Sequence, residues 1–157
     1  MVHREDAKER VDRELTEFLA ELRVAVAGVS VLFAFLLTVP FNQRFTELSG
    51  PEVKVYLVAV VSTALASGLM IAPAAQHRLR FRRVDKAQLL AVTTRLSVAG
   101  HALLAVAMAA SLHVTTSLLY GGRVATAVAA VVGLIVATLW FGIPLLYRDS
   151  PHNEQPD

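Results

Sequence analysis

The chain has 157 residues, 55% hydrophobic and 18% charged, with 15 Lys and Arg, 13 Asp and Glu and no cysteine. That length is one ordinary domain, and soluble domains run nearer a quarter charged. No charged residue falls in Val24–Phe41, Val55–Ala75, Leu96–Val114 or Val124–Leu146. That segregation excludes a soluble globular enzyme, whose helices would alternate apolar and charged faces.

Residues 4–23 come first. Ala7, Val11, Leu15, Phe18, Leu19 and Leu22 recur at spacings of three or four, which predicts an amphipathic helix with one apolar stripe. Its polar face offers Asp6/Arg10, Glu9/Arg13 and Arg13/Glu17 as i,i+4 pairs, each worth a few tenths of a kcal/mol. Neither Pro nor Gly interrupts it before Gly28, so it is expected to run on into the first apolar stretch. The stripe has three candidate partners: the membrane surface, the central basic segment or another copy. Mixed charge on the polar face argues against simple membrane adsorption, where Lys and Arg dominate, and favours protein–protein packing.

The four uncharged stretches are 18, 21, 19 and 23 residues long. A hydrocarbon core of about 30 Å needs roughly 17–25 apolar residues as helix, and helix is required because an unpaired amide in lipid costs several kcal/mol. No period-two alternation supports a β-barrel. The predicted fold class is therefore all-α, a bundle of four transmembrane helices over about 24–41, 55–75, 96–114 and 124–146. Residues 1–23 form the amphipathic helix, 24–146 the transmembrane domain and 147–157 a flexible tail. In the first span Pro40 leaves Val24–Val39 as the uninterrupted part, with Arg23 snorkelling to the headgroups. A signal peptide is disfavoured, since the hydrophobic run is long and the segment before it carries both charge signs.

Orientation follows from Lys and Arg. The N-terminal segment holds five, His77–Arg95 six and the tail one, against three in the other two loops. Both termini and the central segment should therefore face the cytoplasm. On the outer side Ser49-Gly50-Pro51-Glu52 reads as a helix start, with Ser49 capping and Glu52 answering three residues on. Phe41, Phe45 and Tyr56 are placed at headgroup level there, and Trp140, Phe141 and Tyr147 form half of an aromatic belt on the inner side. The last outer loop should turn at Gly121-Gly122.

The central segment carries Arg78, Arg80, Arg82, Arg83, Lys86 and Arg95 against Asp85 alone. Such a cluster attracts anionic headgroups at about 1 kcal/mol per cation, so Arg78, Arg82, Arg83 and Lys86 are candidate lipid contacts. Nucleic acid is not expected as a partner, because orientation alone accounts for basic residues beside a span. The N-terminal segment, net negative, could dock on this one.

Chemistry is sparse. The spans contain no carboxylate or cation, and without cysteine there is no thiolate metal site; no cofactor is expected. His101 and His113 lie about 18 Å apart along one helix and cannot share a metal within a chain. His113 reads as a solvated interfacial histidine. His101, inside the cytoplasmic edge, is the candidate proton relay, the alternative being a neutral ring bonded to a nearby Ser or Thr. No acid stands near a histidine outside segments expected to be mobile, and no nucleophile motif occurs, so no enzyme activity is expected. In the fourth span Ala125, Ala129, Gly133 and Ala137 form a small-xxx-small ridge suited to close helix packing, which also admits a homo-oligomer. Similar pairs are Ala105/Ala109 and Ala107/Ser111 in the third span, and Ser62/Ala66 and Ala64/Gly68 in the second.

The runs ELRVAVAGVSVLFAFLLTVPFNQRF and IAPAAQHRLRFRR resemble a family of small bacterial, largely actinobacterial, four-helix membrane proteins of unknown function. The likeness covers roughly residues 10–115, carried by Glu21–Arg23, Leu36–Phe41, Arg44–Phe45, Ala72–Pro73 and His77–Arg83. It implies four helices with cytoplasmic termini. Some members are described as sodium:proton antiporters, a chemistry for which these spans hold no carboxylate. Glu21, Arg23, His77 and Arg80 gather at one membrane edge as a candidate working surface, or else as a network anchoring the first two helices. The expected function is that of a non-enzymatic membrane component acting through helix packing and protein or lipid contacts. The alternative is a small proton or sodium transporter working as an oligomer.

Overall fold

The computed structural model describes residues 2–79 and 86–143, and among these the chain forms long helices and no strand. α1 spans Val2–Thr38, α2 Gly50–Leu79, α3 Lys86–Tyr120 and α4 Gly122–Ala137. Each contributes to a stretch long and apolar enough to cross a membrane: Ala20–Phe41, Gly50–Pro73, Val92–Tyr120 and Gly122–Gly142. The four-helix, all-α expectation holds. α1 is one uninterrupted helix. Of its expected apolar stripe, Leu22 is buried; Ala7, Val11, Leu15, Phe18 and Leu19 have side chains outside those described.

Proline sets where α1 stops. Pro40 has no N–H to close a bond to the carbonyl four residues back, and the chain leaves the helix at Thr38 through the short 3-10 turn Val39–Phe41. A second such turn, Gln43–Glu47, is capped by the Asn42 side chain, which accepts the Arg44 N–H at 3.0 Å. α2 then starts at the expected signal, with different bonding. The Glu52 carboxylate accepts both the Ser49 N–H at 2.7 Å and the Ser49 hydroxyl at 2.8 Å. Half of a capping box is thus present, while the serine hydroxyl donates to Glu52 and is spent there.

Pro73 behaves differently from Pro40. It lies inside the second span, and α2 continues through it to Leu79. Proline inside a membrane-length helix is tolerated where neighbouring groups serve the freed carbonyl. Between α3 and α4 a single residue, Gly121, makes the turn at φ +82°, a left-handed backbone that only glycine adopts without strain. α4 finishes in a π-helical turn, Thr138–Gly142, where the Ile143 N–H bonds the Thr138 carbonyl five residues back.

α2 and α3 are the closely packed centre, with α1 lying mainly on α2 and α4 mainly on α3. The central pair buries mostly small or hydroxyl side chains: Ala59, Ser62, Thr63 and Ala66 on α2, with Thr93, Ser97, Ala107 and Ala110 on α3. Lipid tails are as apolar as leucine, so association depends on close approach of this kind. At Gly100 a Cβ would stand 3.0 Å from Met70 Cγ and 3.5 Å from the Ala66 carbonyl oxygen. Buried and half-buried hydroxyls bond backward along their own helices, Thr63 to the Ala59 carbonyl at 2.7 Å and Ser111 to the Ala107 carbonyl at 2.6 Å. Among the described residues no buried side-chain polar atom lacks a partner. α1 runs antiparallel to α2, since Leu22 and Val29 cluster with Met70 while Leu36 clusters with Ala59 and Ala110.

Candidate functional site

His101 lies on α3, half-buried, where α4 ends in its π-helical turn. Its Nδ1 is 2.8 Å from the Ser97 carbonyl. A carbonyl only accepts, so Nδ1 carries the hydrogen and Nε2 keeps the lone pair while the ring is neutral. The Ser97 hydroxyl is 3.4 Å from the same nitrogen. Across the helix pair the imidazole meets Trp140 edge to face, with ring centroids 5.3 Å apart and planes at 86°. A groove of about 460 Å³ runs beside them, lined by Ser97, Val98, His101, Leu139, Trp140 and Phe141. This arrangement leaves Nε2 able to accept a hydrogen bond. It contains no second titratable side chain among its lining residues.

The small-residue ridge faces the rest of the protein. Ala125 is fully buried, and a Cβ on Gly133 would sit 3.4 Å from Ala109 Cβ on α3, while Ala129 and Ala137 are half-buried. Its partner is therefore α3, and Ala109 belongs to one of the two small-residue pairs on that helix. On α2 the pair Ser62/Ala66 is buried, whereas Ala64 and Gly68 are exposed.

The proposed working edge is only partly described. Glu21 and Arg23 are exposed on either side of buried Leu22. Arg80, Arg82 and Arg83 lie outside the described residues. His77, Arg78 and Lys86 sit on the ends of α2 and α3, with side chains outside those described. Among the described residues no group of three or more His, Asp or Glu side chains is placed to hold a metal ion. Arg13 and Glu17, one of the expected i,i+4 pairs, are both exposed, and the ion pair found among the described residues is Arg44–Glu47 at 3.2 Å.

That ion pair belongs to a cluster at the opposite end of the helices that sequence reasoning missed. Besides Glu47, the Arg44 guanidinium donates to the Leu118 carbonyl at 2.6 Å. Leu118 is in the last turn of α3, where unpaired carbonyls gather and a cation is favoured. Tyr56 on α2 donates its hydroxyl to the Leu36 carbonyl at 2.9 Å. Leu36 stands four residues before Pro40, so the tyrosine supplies the hydrogen that proline lacks. Phe45 packs edge to face on the Tyr56 ring at 5.3 Å. Phe45 and Tyr56 are thus half-buried partners, while Phe41 is exposed.

His113 also departs from expectation. It is half-buried, and both it and Ser117 lie close enough to the Glu52 carboxylate to interact with it. The α2–α3 packing brings together the first turn of one helix and the last turns of the other, which sequence separation concealed. A signal was available for Tyr56, since a proline at a span's end leaves one carbonyl in need of a donor. None pointed to Leu118 as the partner of Arg44.

Four apolar helices and a core of small and hydroxyl residues define an all-helical, multi-pass membrane-protein architecture of unknown activity. The chain belongs to a family of unknown function, DUF6328, which matches residues 4–144. No curated protein and no solved structure matches it.

Proposed function

We propose that the protein is a multi-pass component of a bacterial plasma membrane that works without catalysis, through helix packing and contacts with lipid and other proteins. The Lys and Arg excess puts both termini and the segment joining α2 to α3 on the cytoplasmic side in this reading. The observation that carries it is how little of the outer helices the fold itself covers. Of the most apolar stretches of α1 and α4, 11% and 6% are buried, and Val24, Phe35, Leu134 and Ile135 are exposed. Such surfaces suit acyl chains, a second copy or another membrane protein. Arg78, Arg82, Arg83 and Lys86 would draw anionic headgroups to the ends of α2 and α3.

Extraction into lipid nanodiscs followed by intact-mass measurement tests this. Anionic phospholipid should be retained over zwitterionic lipid, and charge reversal of those four residues should abolish the preference. Unchanged lipid retention would contradict it. A second reading, a small proton or sodium transporter working as an oligomer, draws on His101, which lines the groove beside Trp140 with Nδ1 engaged by the Ser97 carbonyl and Nε2 without a hydrogen bond among the described residues. Proton or sodium flux in liposomes that vanishes in His101→Ala would establish it over the first.

A further inference from the structure

We propose that the cavity beside Arg44 binds a single-chain carboxylate amphiphile, a fatty acid in chemical class. The cavity measures about 320 Å³ and opens between the end of α1, the first turns of α2 and the last turns of α3. That volume is at the lower end of the range for small-molecule sites, about 300–1,000 Å³. It suits one hydrocarbon chain better than the paired chains of a bilayer phospholipid. Leu36, Ala59, Val114 and Leu118 supply apolar wall, and Arg44 and Asn42 stand among them with polar groups.

Charge decides the head group. Arg44 is the one ionised residue in the lining. Its Nε donates to Glu47 and one Nη2 hydrogen to the Leu118 carbonyl, which uses two of five N–H groups. The remaining donors have no partner among the described residues. A guanidinium held at Nε and Nη2, with its backbone N–H fixed by Asn42, keeps its Nη1/Nη2 end as a preorganised fork. A planar carboxylate matches such a fork with two parallel bonds. The cavity walls are held as well, because Arg44 ties the 43–47 turn to α3 and Tyr56 ties α2 to α1. A ligand with a charged end and an oily body also reaches this place naturally, since the cavity lies at the edge of the apolar spans. The inference is independent of the basic central segment, which lies at the opposite ends of α2 and α3.

The test uses the full chain in nanodiscs of phosphatidylcholine at pH 8, with dodecanoate as the probe and dodecylammonium and acetate as controls. Dodecanoate should give a one-to-one adduct by intact mass and a saturable rise in the unfolding midpoint. Neither control should do so. Arg44→Gln should weaken binding by tenfold or more, about the loss expected for a charge-assisted hydrogen bond. Arg44→Lys, which keeps the charge without the fork, should fall between. Thr115→Phe fills the cavity from an exposed position and should abolish binding with Arg44 intact. No adduct with the parent protein, equal stabilisation by dodecylammonium, or binding that survives either Arg44→Gln or Thr115→Phe would overturn the proposal.

Discussion

Removing one oxygen should reveal how the end of the first span is stabilised. In Tyr56→Phe the Leu36 carbonyl loses the hydroxyl that donates to it at 2.9 Å, and Pro40 has no hydrogen to replace it. An unmet buried acceptor costs about 1–3 kcal/mol in soluble proteins. Interhelical hydrogen bonds in membrane proteins average about 0.6 kcal/mol, with a maximum near 1.7, because the denatured state in the membrane finds other partners. Tyr56 is half-buried near a membrane edge, so the expected loss is about 1 kcal/mol. The informative background is Pro40→Ala, which restores an N–H four residues after Leu36. There Tyr56→Phe should cost less than half as much, and the two changes should be non-additive in a double-mutant cycle. Equilibrium unfolding in mixed detergent, followed by the far-ultraviolet helix signal, measures all four corners. An equal cost of Tyr56→Phe with and without Pro40 would refute the idea that tyrosine substitutes for the missing proline hydrogen.

Other expectations are shorter. Gly100→Ala should destabilise by about 1–3 kcal/mol in the same unfolding assay, since the new methyl meets Met70 Cγ at 3.0 Å and Met70 is itself 1% exposed. Gly133→Ala, whose methyl would reach only ordinary contact with Ala109 at 3.4 Å, should be nearly neutral, within about 0.5 kcal/mol. Gly121→Ala should cost about 1–2 kcal/mol with nothing crowding its side chain, because the penalty lies in the left-handed backbone at φ +82°. If Gly121→Ala and Gly133→Ala changed the unfolding midpoint equally, the backbone explanation would fail.

The spans were legible because a bilayer leaves a chain few options: charge must be absent for about 20 residues, and the backbone must pair with itself. The same reasoning found the α3–α4 turn at Gly121 and the start of α2 at Ser49. A nearby Ser or Thr was one expected partner for His101, and the closer contact is with the backbone carbonyl of Ser97. What failed was anything decided between helices. The ridge at Ala125, Ala129, Gly133 and Ala137 is plain in the sequence, but periodicity names no partner, and α3 proved to be it. Arg44 counted only as an outer-side charge until Leu118, distant along the chain, came beside it. Pro40 and Pro73 look alike in sequence. One ends its helix and the other does not, a difference that local sequence does not encode.

Sidedness tests the whole account most directly, and a chain without cysteine suits it. Glu17, Thr46 and Arg123 are all exposed, before the first span, between the first two, and at the start of the fourth. Each would be replaced singly by cysteine and treated with a membrane-impermeant maleimide in sealed vesicles of known orientation. Thr46→Cys and Arg123→Cys should react from one side, the outer one, and Glu17→Cys only from the other. Labelling of Glu17→Cys and Thr46→Cys from the same side would mean that α1 does not cross the bilayer, and the four-span architecture would be wrong.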